Sequence, residues 1–132
     1  MLSAKLRRLA EWNAARQTAA RRYDQLLAGV SDVIRPRVLD GNEHVWHLYV
    51  VRVPDRDRVI KELHAAGIGA GIHYPVPVHL SAAFAGLGYD DGAFPVAERA
   101  AREVLSLPLF PQITPAQQER VASVLTAALR RM

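Results

Sequence analysis

The stretch Gly69-Ala-Gly-Ile-His-Tyr-Pro-Val-Pro-Val-His79 restricts what this chain can fold into more than any other part of it. Pro75 and Pro77 fix two φ angles, remove two amide donors and push the residue before each into extended geometry, so no helix can pass through. Gly69 and Gly71 free the backbone just upstream. The simplest reading is a short buried strand that ends in a rigid, extended loop carrying His73, Tyr74 and His79. Such a loop contacts ligands more often than it fills a core.

Periodicity supplies the surrounding elements. Leu2, Leu6, Leu9, Trp12, Ala19, Tyr23 and Leu26 recur at three- and four-residue steps and predict one amphipathic helix over 3–28, capped by Ser3 and ended by Gly29. Residues 44–53 alternate, with Val45, His47, Tyr49, Val51 and Val53 on one side, and predict a central strand stopped by Pro54. Asp55 is read as the N-cap of a helix to Ala66, with Gly67 and Ile68 forming a Schellman-type ending. Leu80 to Ala85 reads as a helical turn, Gly86 to Gly92 as an acidic loop, and Pro95 as the first turn of a helix to Leu105. Ser106 to Phe110 reads as a brief edge strand. Thr114 and Gln117 are spaced as a capping box before a last helix with Val121, Val124, Leu125, Ala128 and Leu129 on its apolar face. The expectation is a single domain over 1–132, in which the long helix precedes a two-layer α/β unit over 43–132 with a small mixed or antiparallel sheet.

Composition narrows the chemistry. Of 132 residues half are hydrophobic and none is cysteine, which removes disulfide frameworks and thiolate metal sites. The net charge of +4 arises before residue 38, where eight Lys/Arg face three Asp/Glu, yet those arginines form no stripe with interleaved aromatics. Nucleic acid is therefore not the expected partner, and a solvated helix or protein contact is. No apolar run suggests a membrane span or signal peptide, which makes a cytoplasmic location the expectation.

Five histidines raise the question of a metal, but His44 and His47 lie three apart on a strand pattern and no Asp or Glu completes a set with them. His64 reads as a helix-surface residue. The serines lie in no nucleophile elbow, and Gly67, Gly69 and Gly71 precede a strand where a dinucleotide fingerprint would follow one.

The string Gly-Ile-His-Tyr-Pro-Val-Pro-Val-His-Leu, with Gly88-Tyr89, Phe94-Pro-Val-Ala-Glu98 and Leu105-Ser-Leu-Pro-Leu-Phe-Pro111, resembles the C-terminal part of the DegT/DnrJ/EryC1/StrS family of pyridoxal-phosphate-dependent nucleotide-sugar aminotransferases. The resemblance starts near Lys5 and covers about the last third of a usual member. It implies the small domain of a fold-type I aminotransferase, entered by a helix that leads from the large domain, in an enzyme that aminates a keto-sugar on a nucleotide and works as a dimer. It implies that His73 and Tyr74 face the sugar or cofactor, that His79 binds or orients a polar substrate group, and that Asn13, Arg16 and Trp12 serve a domain junction or interface. An alternative in which His73 caps a strand and Tyr74 packs under the prolines stays open.

Lys5 and Lys61 lie outside any family-type lysine motif, so no Schiff-base lysine, phosphate cradle or pyridine carboxylate is carried over. The large catalytic domain has no counterpart among these residues. The chain is therefore expected to bind no pyridoxal phosphate and to be inactive alone, as a C-terminal fragment, and to self-associate through Leu6, Leu9, Trp12 and Tyr23. The competing expectation is a non-catalytic dimerisation or regulatory module that keeps the fold.

Overall fold

The computed structural model describes residues 2–131. Helices α1 (Leu2–Leu6) and α2 (Leu9–Leu26) lead into strand β1 (Tyr49–Arg52) and helix α3 (Arg56–Ala65). Two 3₁₀ turns, Val78–Leu80 and Ala82–Leu87, follow the proline loop, and α4 (Pro95–Glu103), β2 (Val104–Leu107) and α5 (Pro115–Leu129) complete the chain. The class is the expected two-layer α/β unit, with a two-stranded antiparallel sheet in which Tyr49 pairs with Leu107 and Arg52 with Val104. Single residue pairs extend the sheet on both edges, Ile34 against Arg52 and Gly71 against Ser106. No helix among the described residues is long and apolar enough to cross a membrane.

The core follows from strand alternation. Tyr49, Val51, Leu105 and Leu107 are all buried and share one face, where they meet Val59 and Leu63 of α3, Tyr23 of α2, and Val121 and Leu125 of α5. Burial of an aliphatic side chain of this size is worth about 1.5–3 kcal/mol, so these positions dominate stability. Tyr23 and Tyr49 stack at 5.0 Å and keep their polar ends satisfied. The Tyr23 hydroxyl donates to the Pro108 carbonyl at 2.9 Å, and that of Tyr49 to Asp24 Oδ1 at 2.7 Å. Burial pushes both phenols up from their ordinary value, and the Asp24 carboxylate adds to the effect at Tyr49.

Several expected boundaries shift. The first helix is interrupted at Arg7 and Arg8, and Ser3 lies inside the short α1 instead of capping it. Leu6 and Leu9 find no core contact there, and a five-residue helix without packing is weakly held. The side chain of Leu2 lies outside the described ones. Helix α2 ends at Leu26, before Gly29. Tyr23, expected on an apolar face that truncation would bare, is fully buried.

The strand read over 44–53 is reduced to Tyr49–Arg52 because Trp46 adopts a φ of +52°. Alternation would have left Trp46 on the face opposite Tyr49. The turn instead buries its ring against Tyr49 at 5.5 Å, while His44 Nδ1 accepts the Trp46 amide at 2.8 Å.

Asp55 occupies the position before α3 but with left-handed backbone and no cap bond; its carboxylate pairs with Arg58 at 2.8 Å. The far end of α3 matches expectation. Gly67 has a φ of +74°, its amide donates to the His64 carbonyl at 2.9 Å, and that of Ile68 donates to the Leu63 carbonyl at 2.9 Å, the two bonds of a Schellman motif. The strand expected to follow is only the Gly71 pair with Ser106. Helix α4 ends at Glu103 and the following strand begins at Val104, so Pro108 falls outside it, and β2 is flanked on both edges instead of lying at one. Thr114 and Gln117 form the expected capping box, with bonds of 3.2 and 2.8 Å.

Candidate functional site

The proline loop leaves the sheet at Gly71, whose amide and carbonyl both bond to Ser106, at 3.0 and 2.8 Å. Two residues on, the His73 ring folds back over this pair: a Cβ built on Gly71 would lie 3.0 Å from His73 Cε1. The missing Cβ thus lets the imidazole pack closely here. His73 Nδ1 meets the hydroxyl of buried Ser106 at 2.8 Å, which anchors the ring to β2. The His73–Tyr74 peptide is cis, and the two rings meet edge to face at 5.6 Å. Tyr74 is 75% exposed.

His79 takes the opposite position. It is 9% exposed, and its Nε2 lies 3.0 Å from Oε1 of Glu98, which is 4% exposed. Glu98 also accepts the amide of Phe94 and, through both oxygens, that of Gly92, each at 3.0 Å. The Phe94 amide, helped by Gly92 and His79, holds the Glu98 carboxyl below the usual carboxylate range against the opposing effect of burial. The rings of His79 and Phe94 lie 4.7 Å apart, and Tyr89 closes on Phe94 at 5.0 Å. The loop is therefore fastened at both ends, by Ser106 near its start and by Glu98 at its finish, and the exposed face between them carries Tyr74, Val76 and Val78.

Asn13 and Arg16 bond to each other, and Arg16 Nε donates to the Val45 carbonyl at 3.2 Å. Gln17 reaches Glu43 at 3.0 Å beside them, so this part of α2 holds the 43–46 segment. Trp12 is half-buried, with the Arg8 guanidinium over its ring at 5.5 Å. Two surface grooves, one between Gly67–Gly69 and Phe110–Val121, the other between α2 and Pro111–Gln118, contain no residue of the 73–79 loop. Among the described residues no cluster of three or more His, Asp or Glu could hold a metal. Ser106 and Glu98 were not foreseen as site residues. The only signal for them was their place within Leu-Ser-Leu-Pro and Phe-Pro-Val-Ala-Glu, beside the strand and helix ends that the loop needs as anchors.

A small antiparallel sheet under three helices, entered by a long helix and carrying a proline-locked His-Tyr loop, defines the class: the small domain of an α/β aminotransferase. DesV of S. venezuelae, solved in complex with a ketimine intermediate, superposes on 99% of this chain and 35% of its own with a TM-score of 0.93 and 40% identity. The family model of the DegT/DnrJ/EryC1/StrS aminotransferase family matches residues 1–126, and the chain belongs to that family. It is 43% identical over 127 residues to the erythromycin biosynthesis sensory transduction protein EryC1 of Saccharopolyspora erythraea, covering 96% of this chain and 35% of the relative. It is 45% identical over 125 residues to a dTDP-3-amino-3,4,6-trideoxy-alpha-D-glucose transaminase of Micromonospora megalomicea, covering 92% and 33%. The chain spans about a third of the length of the curated relatives it matches.

The family's enzymes depend on pyridoxal phosphate, and the residues present here do not by themselves fit that cofactor. A Schiff-base lysine must be desolvated to lose its proton. The two lysines of this chain, Lys5 and Lys61, are both exposed on the surfaces of α1 and α3.

Proposed function

We propose that this chain is the small-domain part of an aminotransferase that aminates a keto-sugar carried on a nucleotide, and that the 73–79 loop forms one wall of the sugar pocket. The observation that carries this reading is the match, over more than nine-tenths of the chain, to a dTDP-3-amino-3,4,6-trideoxy-alpha-D-glucose transaminase. The geometry supports it: His73 and Tyr74 stand on a loop fixed before any ligand arrives, so little ordering entropy remains to be lost on binding. Their ring nitrogen and hydroxyl suit the hydroxyl and carbonyl oxygens of a sugar. His79, directed to Glu98, holds the wall in place and acts on substrate only through it.

The cofactor and its lysine belong, on this reading, to the remainder of the enzyme, and the chain alone neither binds pyridoxal phosphate covalently nor transaminates. The test is a chimera in which these residues replace the C-terminal third of DesV. Amination of a keto-sugar nucleotide by the chimera supports the proposal. A folded chimera that holds cofactor yet fails on every such sugar overturns it, as does turnover by the chain alone with a borohydride-trappable adduct on Lys5 or Lys61.

A second reading, a regulatory or dimerisation module that keeps this fold without chemistry, draws on the description of EryC1 as a sensory transduction protein. It predicts the folded, inactive chimera.

A further inference from the structure

We infer that Ser106 sets the tautomer of His73, so that the loop offers an Nε2–H donor to an acceptor oxygen of its ligand; the nature of that ligand rests on the sugar-wall reading, the tautomer does not. Ser106 is buried on β2, and its backbone groups are both engaged by Gly71. Among the described residues its hydroxyl has one partner, His73 Nδ1 at 2.8 Å.

A neutral imidazole has one N–H and one bare nitrogen, and a serine hydroxyl has a single hydrogen to donate. Were Nδ1 protonated, the hydroxyl would accept that proton's bond and leave its own O–H in the protein interior without an acceptor, which costs free energy. With Nδ1 bare, the hydroxyl donates to it and both groups are satisfied. The ring proton then sits on Nε2, and the hydrogen bond of the ring found among the described residues is the one at Nδ1. Gly71 adds to the cradle, since a Cβ there would lie 3.0 Å from Cε1, between the two nitrogens, and the ring would have to yield by a few tenths of an ångström. A ligand that reaches His73 is consequently read through an acceptor, such as a keto or hydroxyl oxygen, and a group that can only donate is disfavoured.

Long-range ¹⁵N NMR of the imidazole of His73 decides the matter on the chain alone, at about pH 8.5, well above the ordinary histidine value of about 6.5. The expected result is a bare Nδ1 shifted by hydrogen bonding and a protonated Nε2. In Ser106→Ala, with its amide spectrum checked for an unchanged fold, the hydrogen-bond shift at Nδ1 should be lost and both nitrogens should move toward the averaged positions of a ring that exchanges between its two neutral tautomers. A protonated Nδ1 in the unsubstituted chain overturns the inference, and so does an Nδ1 signal that is the same with and without the hydroxyl. Should Ser106→Ala fail to fold, the protonation state in the unsubstituted chain still decides. No ligand enters this measurement, so its failure is separate from failure of the sugar-wall reading, which chimera turnover tests.

Discussion

His73 and His79 look equivalent in the sequence, six positions apart around two prolines, and the fold gives them opposite work. One ring lies at the surface on Ser106; the other is enclosed with Glu98. In the active chimera, His73→Ala or Tyr74→Phe should weaken sugar turnover while sparing the glutamate half-reaction, by about 0.5–1.5 kcal/mol for one neutral hydrogen bond. Steady-state and half-reaction kinetics measure the split. Unchanged sugar turnover with a melting temperature several degrees lower would instead assign both residues to structure. At Glu98 the sign of the pH effect is fixed by its depressed titration. A carboxyl held lower in the folded than in the unfolded state adds stability above the unfolded value of about 4.3, and this is lost as pH falls through the folded value. Glu98→Gln should therefore lower the melting temperature at neutral pH and flatten its decline in acid, as followed by thermal unfolding across that range. The difference between the histidines was not legible in the sequence because their partners lie 33 and 19 residues away. Side-chain direction on either side of two prolines carries no periodicity from which to infer it.

Features set by neighbouring residues were legible. The Schellman ending at Gly67 and the capping box at Thr114 are read from a few adjacent residues because the groups that satisfy each other are adjacent. Gly67→Ala places a Cβ at φ +74° in otherwise open space, so backbone strain alone should cost about 1–2 kcal/mol. Thr114→Ala should cost about 1 kcal/mol through the lost cap. Urea unfolding of each variant checks both, with a midpoint shift and an unchanged slope as the expected pattern. Features set by distant contacts were misread. Alternation over 44–53 carried no sign that Trp46 would turn inward onto Tyr49, and Asp55 looked like a cap because its attraction to Arg58 competes unseen with the helix amides.

In the whole molecule, the helical entry is anchored at its end by Ala20 and Tyr23 of α2 and by Leu27 just beyond it, and is bare toward its start, where Leu6 of α1 is 61% and Leu9 of α2 41% exposed. Apolar positions left open in this way mark interaction surfaces. The chain is expected to self-associate, and Leu6→Glu with Leu9→Glu to shift it toward monomer in sedimentation velocity; a stable monomer at high concentration before substitution would count against this. The helical entry, the α/β order and a small sheet were legible here, whereas the extension of that sheet on both edges was not, since single residue pairs at Ile34 and Gly71 have no pattern of their own. The clasp between His79 and Glu98 has a consequence for how this surface can diversify. It closes a ring of chain whose outer part, Ala82 to Tyr89, is exposed and touches the clasp mainly through Tyr89. Closing a longer ring costs only about 0.6 kcal/mol for each doubling of its length. A longer or rebuilt Ala82–Leu87 arch should therefore be tolerated at small cost, while His73 and Tyr74 stay where the strand and the clasp hold them.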